Sequence, residues 1–211
     1  MYFLTDRLWF PDVGRANEKG LLAIGGDLSP ERLLLAYRSG IFPWFNQDGT
    51  ILWWSPDPRM VLFPDTIKIS RSMRKVIDSG QFRITRNTRF EEVITACSTS
   101  IRKGQQGTWI TPGMREAYIR LHDMGIAKSI EVWENDDLVG GLYGIDLGTV
   151  FCGESMFSRS SNASKFAFIY LAQELGKKNY RLIDCQVYSR HLESLGAIEI
   201  PRKRFMDILK G

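Results

Sequence analysis

Two acids and an amide stand where such groups are costly. Asp184 and Gln186 interrupt the apolar run Leu182–Val187, and Glu154 lies in Phe151-Cys152-Gly153-Glu154-Ser155-Met156-Phe157. A carboxylate in apolar surroundings is expensive unless it is paired or reaches a cleft. Each acid is therefore either a hydrogen-bonded structural group or part of a site. If residues 182–187 form a strand, Asp184 and Gln186 project to one face while Ile183, Cys185 and Val187 point to the other. An acid and an amide side by side, joined by a second acid, would suit the binding of a cationic amine.

Two further features carry chemistry. Between Lys68 and Arg89 the chain places Lys68, Arg71, Arg74, Lys75, Arg83, Arg86 and Arg89 against the single acid Asp78. At helical spacing Arg71, Arg74 and Lys75 share one face. A solvated surface and a phosphate-binding surface both fit such a run. Trp44, in Ile41-Phe42-Pro43-Trp44-Phe45, and Trp109, in Gly107-Thr108-Trp109-Ile110, sit among Gly, Pro and Thr rather than in periodic segments. Loops of this kind build sites, and two indoles could clamp a nucleobase; packing in a core is the other use of such rings.

The elements that must position these groups follow from caps and periodicity. Ser29 followed by Pro30 and Glu31 starts a helix that carries Leu33, Leu34 and Tyr37 and stops at Gly40. The segment Ile41–Arg59 is loop-rich but too aromatic to be a disordered linker, so it predicts a folded edge of a small N-terminal module with a boundary near residue 60. Ser70–Ile77 reads as a helix and Phe82–Thr85 as a strand. Thr88 and Glu91 read as a capping box ahead of Phe90, Val93, Ile94 and Cys97, and Thr111-Pro112 opens another helix that ends at Gly125. The period then changes. Ser129–Trp133, Leu138–Tyr143 and Thr149–Gly153 predict an antiparallel meander, followed by a helix from about Ser161 to Lys177, the strand Arg181–Val187, a short helix stopped by Gly196 and the basic segment Arg202-Lys203-Arg204. This order predicts that the chain beyond the N-terminal module is an α+β domain built on one mixed, mainly antiparallel sheet.

Composition narrows the function classes. A chain of 211 residues holds one core, or one core with a small appended module. Its apolar stretches fall far short of the roughly 20 residues that span a bilayer, and Asp6 and Arg7 break the apolar N-terminus, so a cytoplasmic protein without a membrane partner is expected. Three cysteines with no Cys-x-x-Cys, and His122 far from His191, argue against a disulfide framework and a metal site. The net charge of +4 permits a nucleic-acid partner without requiring one.

Six blocks together resemble the bacterial leucyl/phenylalanyl-tRNA protein transferases. They are Gly20-Leu21-Leu22-Ala23-Ile24-Gly25-Gly26-Asp27-Leu28, Gly40 through Phe45, Leu52-Trp53-Trp54-Ser55-Pro56-Asp57-Pro58-Arg59, Gly107-Thr108-Trp109-Ile110-Thr111, Phe151 through Ser158 and Leu182 through Gln186. The resemblance implies a small N-terminal α+β domain over residues 1–60 and a GNAT-like acyltransferase domain over 61–211. It implies a monomer that uses neither metal nor coenzyme A, with leucyl- and phenylalanyl-tRNA as donors and proteins or peptides bearing N-terminal Arg or Lys as acceptors, marked thereby for the N-degron route. By position, adenosine stacking falls on Trp44 and Trp109, and the donor side-chain pocket on Leu142, Phe151, Met156, Phe168, Leu171 and Ile183. Central roles fall on Asp184 and Gln186. Leu142 is methionine in some relatives, and the sequence ends at Gly211 where well-known members continue into a tail.

The chemistry this implies is undemanding. The donor is an activated ester and the acceptor α-amine has a pKa near 8, so alignment and one proton are the whole task. A neutral amide is too weak a base to take a proton outright. Gln186 is therefore expected to accept a hydrogen bond from the amine, with Asp184 fixing the amide and supplying charge and Glu154 holding the cationic acceptor end. Arg71, Arg74 and Lys75 are the expected phosphate contacts. A coenzyme-A-dependent acetyltransferase would need a glycine-rich anion cradle before its helix, and Ser158-Arg159-Ser160-Ser161-Asn162 contains no glycine. A non-catalytic RNA-binding module would leave Asp184, Gln186 and Glu154 without purpose.

Overall fold

The computed structural model describes residues 1–45, 49–100 and 110–211. In chain order the elements are β1 (Tyr2–Leu4), β2 (Leu21–Gly25), α1 (Pro30–Arg38), β3 (Phe42–Pro43), β4 (Leu52–Trp54), β5 (Arg59–Leu62), α2 (Arg71–Asp78), β6 (Arg83–Arg86) and α3 (Phe90–Thr99). They continue with α4 (Pro112–Asp123), β7 (Ala127–Glu134), β8 (Asp137–Asp146), β9 (Val150–Ser158), α5 (Ala163–Lys177), β10 (Leu182–Gln186), α6 (Arg190–Ser194), β11 (Ile198–Ile200) and α7 (Arg202–Lys210). The protein is α+β. A small sheet runs β1-β2-β4-β3, and a seven-stranded sheet runs β11-β5-β10-β9-β8-β7-β6. The larger sheet is antiparallel except at β9–β10, which pair in parallel.

The caps explain where helices start. Ser29, Ser70 and Thr111 each accept a hydrogen bond from the backbone N–H three residues on, satisfying donors that the first turn leaves open. The expected capping box at Thr88 does not form. Its hydroxyl donates to the buried Glu131 carboxylate (3.0 Å), which also binds Thr85 (2.6 Å) and Ser129 (2.5 Å), so α3 starts after Arg89 without a side-chain cap. All four strands of the small sheet, and two of the larger one, escape a reading by periodicity. β5 and β11 are only four and three residues long, too short for an alternation to register. The C-terminal basic segment is also the start of a helix, α7, whose Phe205 is fully buried.

Two apolar layers flank the larger sheet. On one face Val93, Tyr118, Tyr143, Cys152 and Leu182 pack with α3 and α4 and run continuously into the small sheet through Tyr37, Phe42 and Trp53. On the other, Leu142, Phe151 and Ile183 pack under α5 with Phe168, Leu171 and Leu175. β9 and β10 thus lie mid-sheet, with an apolar layer on each side.

Candidate active site

Both central strands break their register at the same level. Between β8 and β9, Tyr143 opposes Ser155 and Gly144 opposes Gly153, which leaves Glu154 as an extra residue. Between β5 and β10, Val61 opposes Asp184 and Met60 opposes Gln186, which leaves Cys185 extra. The parallel pairing of β9 with β10 ends at Asp184 opposite Cys152. Bulges re-aim side chains and end pairing, and here they open a wedge between the two strands. They also break the alternation predicted for residues 182–187. Gln186 sits at φ 66°, in the left-handed region that a residue with a Cβ rarely adopts. Its backbone N–H, turned out of the ladder, donates to Asp184 Oδ1 at 3.0 Å.

The acids take different partners from those expected. Asp184 is locked into a two-pronged ion pair with Arg59, whose Nε reaches Oδ1 at 2.8 Å and whose Nη2 reaches Oδ2 at 2.7 Å; both side chains are 1% exposed. The remaining arm of Arg59 donates to the Gly40 carbonyl at 3.2 Å, and its guanidinium lies between the rings of Phe42 and Phe205. Asp184 therefore does not fix the Gln186 amide, and its charge is already matched. Glu154 fixes the amide instead. Its Oε1 accepts from Gln186 Nε2 at 2.7 Å, and its Oε2 from the Tyr118 hydroxyl at 2.9 Å. Tyr118 is hydrogen-bonded in turn to Tyr37. An ionised carboxylate only accepts, so Gln186 must turn Nε2 toward it and leave Oε1 free on the other side. Burial outweighs these hydrogen bonds and pushes the Glu154 carboxyl up from 4.5 to about 7. Desolvation likewise drives the Tyr37 and Tyr118 phenols well above their usual range, which keeps them as neutral donors.

A cavity of ≈ 500 Å³ opens at this wedge. Asp184, Gln186 and Glu154 line it, and so do Leu142, Phe151, Met156, Phe168, Leu171 and Ile183. Phe151 and Met156 are five residues apart, an odd spacing that strict alternation would place on opposite faces. The bulge at Glu154 lets both reach one cavity. Trp44 forms part of the rim, 39% exposed and tilted against Trp54. Its neighbours Phe42 and Pro43 also line the cavity. Trp109 lies outside the described residues. Arg71, Arg74 and Lys75 are exposed on α2, are not among the cavity-lining residues and take part in none of the ion pairs among the described residues. No group of three or more His, Cys, Asp or Glu among the described residues is placed to hold a metal ion.

Residues 61–210 match the family described as leucyl/phenylalanyl-tRNA protein transferase, and residues 26–57 match that family's N-terminal domain. The chain belongs to this family. It is 64% identical to the leucyl/phenylalanyl-tRNA protein transferase of Flavobacterium johnsoniae over 211 residues, covering 100% of both chains. The protein of the same name from Syntrophus aciditrophicus is 56% identical over 95% of this chain and 84% of its own. Among solved structures, a GCN5-related N-acetyltransferase from Kribbella flavida superposes with a TM-score of 0.41 at 8% identity, over 81% of this chain and 60% of that one. Three residues of the site in this transferase do not stand out from the sequence. Arg59 merely closes one of the six blocks, Tyr37 sits among the apolar residues of α1, and Tyr118, three residues before Leu121, fits the apolar spacing of α4; an arginine directly after Pro-Asp-Pro is the one available signal. No helix among the described residues is long and apolar enough to cross a membrane.

Proposed function

We propose that this protein transfers a leucyl or phenylalanyl group from aminoacyl-tRNA to the α-amine of a protein or peptide that begins with Arg or Lys, which marks the acceptor for the N-degron route. It acts as a cytoplasmic monomer without metal or coenzyme A, with residues 1–60 as the N-terminal domain and 61–211 as a GNAT-like acyltransferase domain. One observation carries the reading: a single cavity joins an apolar hole to a carboxylate–amide pair. The donated side chain occupies the hole formed by Leu142, Phe151, Met156, Phe168, Leu171 and Ile183, which rejects β-branched donors by only about 1–3 kcal/mol per methyl. Trp44, with Trp109, stacks on the terminal adenosine. Arg71, Arg74 and Lys75 hold tRNA phosphates.

In the reaction the free amine donates a hydrogen bond to Gln186 Oε1 and attacks the ester carbonyl with its lone pair. Glu154, fixed behind the amide, faces the nitrogen as it turns positive. The tetrahedral adduct collapses, the C–O bond to the 3′ oxygen breaks, and that oxygen leaves with the electron pair and takes up the surplus proton. The products are an amide and a free 3′ hydroxyl. Transfer of labelled phenylalanine from Phe-tRNA to peptides beginning with Arg, Lys, Asp or Glu tests this. Arg and Lys peptides should be labelled, and Gln186→Ala and Asp184→Ala, each shown to be folded, should lose transfer; absence of label on the Arg and Lys peptides would overturn the proposal.

A further inference from the structure

We infer that Arg59 is a positioning residue for the transfer reaction: through Asp184 it holds Gln186 in its left-handed turn, and through Gly40, Phe42 and Phe205 it anchors that turn to the N-terminal sheet and to the C-terminal helix. The inference rests on the transfer reaction proposed above. It begins with a side chain whose polar groups are all committed. Arg59 gives Nε and Nη2 to Asp184 and Nη1 to the Gly40 carbonyl, while aromatic rings cover it at 4.8 and 4.6 Å. The two-pronged geometry fixes both position and rotation of the carboxylate, which a lysine ammonium cannot do.

The same Asp184 Oδ1 that receives Arg59 Nε also receives the backbone N–H of Gln186. That bond compensates the bulge. At φ 66° the Gln186 amide has left the strand ladder, and without an acceptor it would be a buried, unpaired donor in a strained conformation. Arg59 therefore determines where Oδ1 sits, Oδ1 determines where the Gln186 backbone sits, and the backbone determines where Oε1 meets the amine. The other end of the chain of contacts reaches the cavity too. Phe42, stacked on the guanidinium, lines the cavity just before Pro43 and Trp44. One buried cation thus braces the wall that faces the nucleophile and packs against Phe42 at the cavity. On this account Asp184 acts as a brace, and Arg59 and Asp184 work as one unit.

The test is steady-state transfer of phenylalanine to an Arg-initiated peptide by Arg59→Lys, Arg59→Gln, Asp184→Asn and the Arg59→Gln/Asp184→Asn double variant, with folding followed by thermal melting. Arg59→Lys keeps the charge and loses the fork. It should fold and lose kcat by roughly 10- to 100-fold, the cost of about 1 Å of misplacement, with both KM values within about threefold of wild type. The double variant should be no slower than the slower single variant by more than about threefold, because the two residues share one path. A purely structural arginine gives a different result: melting temperature falls while kcat per folded molecule stays. That result, or wild-type kcat in Arg59→Lys, or losses that multiply in the double variant, overturns the inference. If the Arg59→Gln variants do not fold, the kcat and KM of Arg59→Lys decide alone. Failure of the wild-type protein to label the peptide would instead count against the transfer reaction itself.

Discussion

Replacing Glu154 by Gln should make the protein more stable at alkaline pH and nearly inactive, a combination that follows from its half-buried, poorly solvated carboxyl. The folded state holds Glu154 at about 7, against 4.5 for the ordinary group. Below pH 4.5 both states carry the proton and nothing is lost. As pH rises from 4.5 to 7 the unfolded chain releases its proton first, so the folded state binds more protons and stability falls with pH. Above pH 7 the loss levels off. The gap between 4.5 and about 7, at 1.36 kcal/mol per pH unit, makes it about 3 kcal/mol, an upper bound because one side of the carboxylate faces the cavity. The glutamine of Glu154→Gln has the same shape and no charge, so it escapes this cost. Its one acceptor oxygen can still serve Tyr118, but its N–H₂ needs the Gln186 amide turned round as acceptor, a rearrangement that gives back about 1 kcal/mol. The net gain of about 1–2 kcal/mol at pH 8 should raise Tm by roughly 2–8 °C, and the gain should vanish by pH 5.

Activity should move the other way. The new amide N–H₂ needs an acceptor, and Gln186 can supply one only by flipping, which turns its Nε2 toward the incoming amine. Transfer should fall about 100-fold or more, without the rise in kcat through about pH 7 expected of the wild type as Glu154 ionises. Melting curves from pH 5 to 9 and single-turnover transfer by wild type and Glu154→Gln read both effects. A Glu154→Gln protein that melts below wild type at pH 8, or that transfers at wild-type rate, would refute the reasoning.

Three other outcomes are expected. Trp44→Ala removes a stacking surface worth about 1–3 kcal/mol, so the donor KM should rise by roughly 10- to 100-fold while the KM of the acceptor peptide stays, as steady-state kinetics with each substrate varied will show. Neutralising Arg71, Arg74 and Lys75 together should weaken Phe-tRNA binding and flatten its dependence on log salt by about 2–3, and should leave transfer from a short aminoacyl-adenosine donor unchanged. Gly144→Ala would place a Cβ 2.2 Å from the Cys152 carbonyl oxygen and 2.5 Å from the Phe151 ring. Backbone must move, so chemical unfolding should show a loss of about 1–3 kcal/mol or more, with the displaced Phe151 also impairing the donor pocket.

The sequence was most readable where local rules act alone. Ser29, Ser70 and Thr111 mark their helices because an N-cap is a contact between near neighbours, and the meander of β7, β8 and β9 shows through turn residues and a change of period. Thr88 misled because a distant carboxylate, Glu131, competed for its hydroxyl and won. The site was legible in residue type but not in pairing. Asp184, Gln186 and Glu154 stand out as polar groups in apolar runs, yet two bulges decide which of them meet, and a bulge is set by the partner strand. Arg59 lies 125 positions from Asp184, and nothing local ties the two.

What separates Glu131, Asp184 and Glu154 is the company they keep. Glu131 is surrounded by three hydroxyl donors and holds β6 to β7; Asp184 has a matched cation and two further restraints through it. Glu154 faces the cavity with an amide and the phenols of Tyr118 and Tyr37 as its hydrogen-bond partners, none of them charged. A carboxylate in that position is under-compensated, and its raised pKa is the measure of it. A cationic or incipiently positive nitrogen entering the cavity would supply the missing charge. Binding of the acceptor amine should therefore pull the Glu154 pKa back toward 4.5 and release a proton from the carboxyl near pH 7. The fold keeps a poorly solvated carboxylate at a cost, and the reacting nitrogen of the proposed transfer would relieve it.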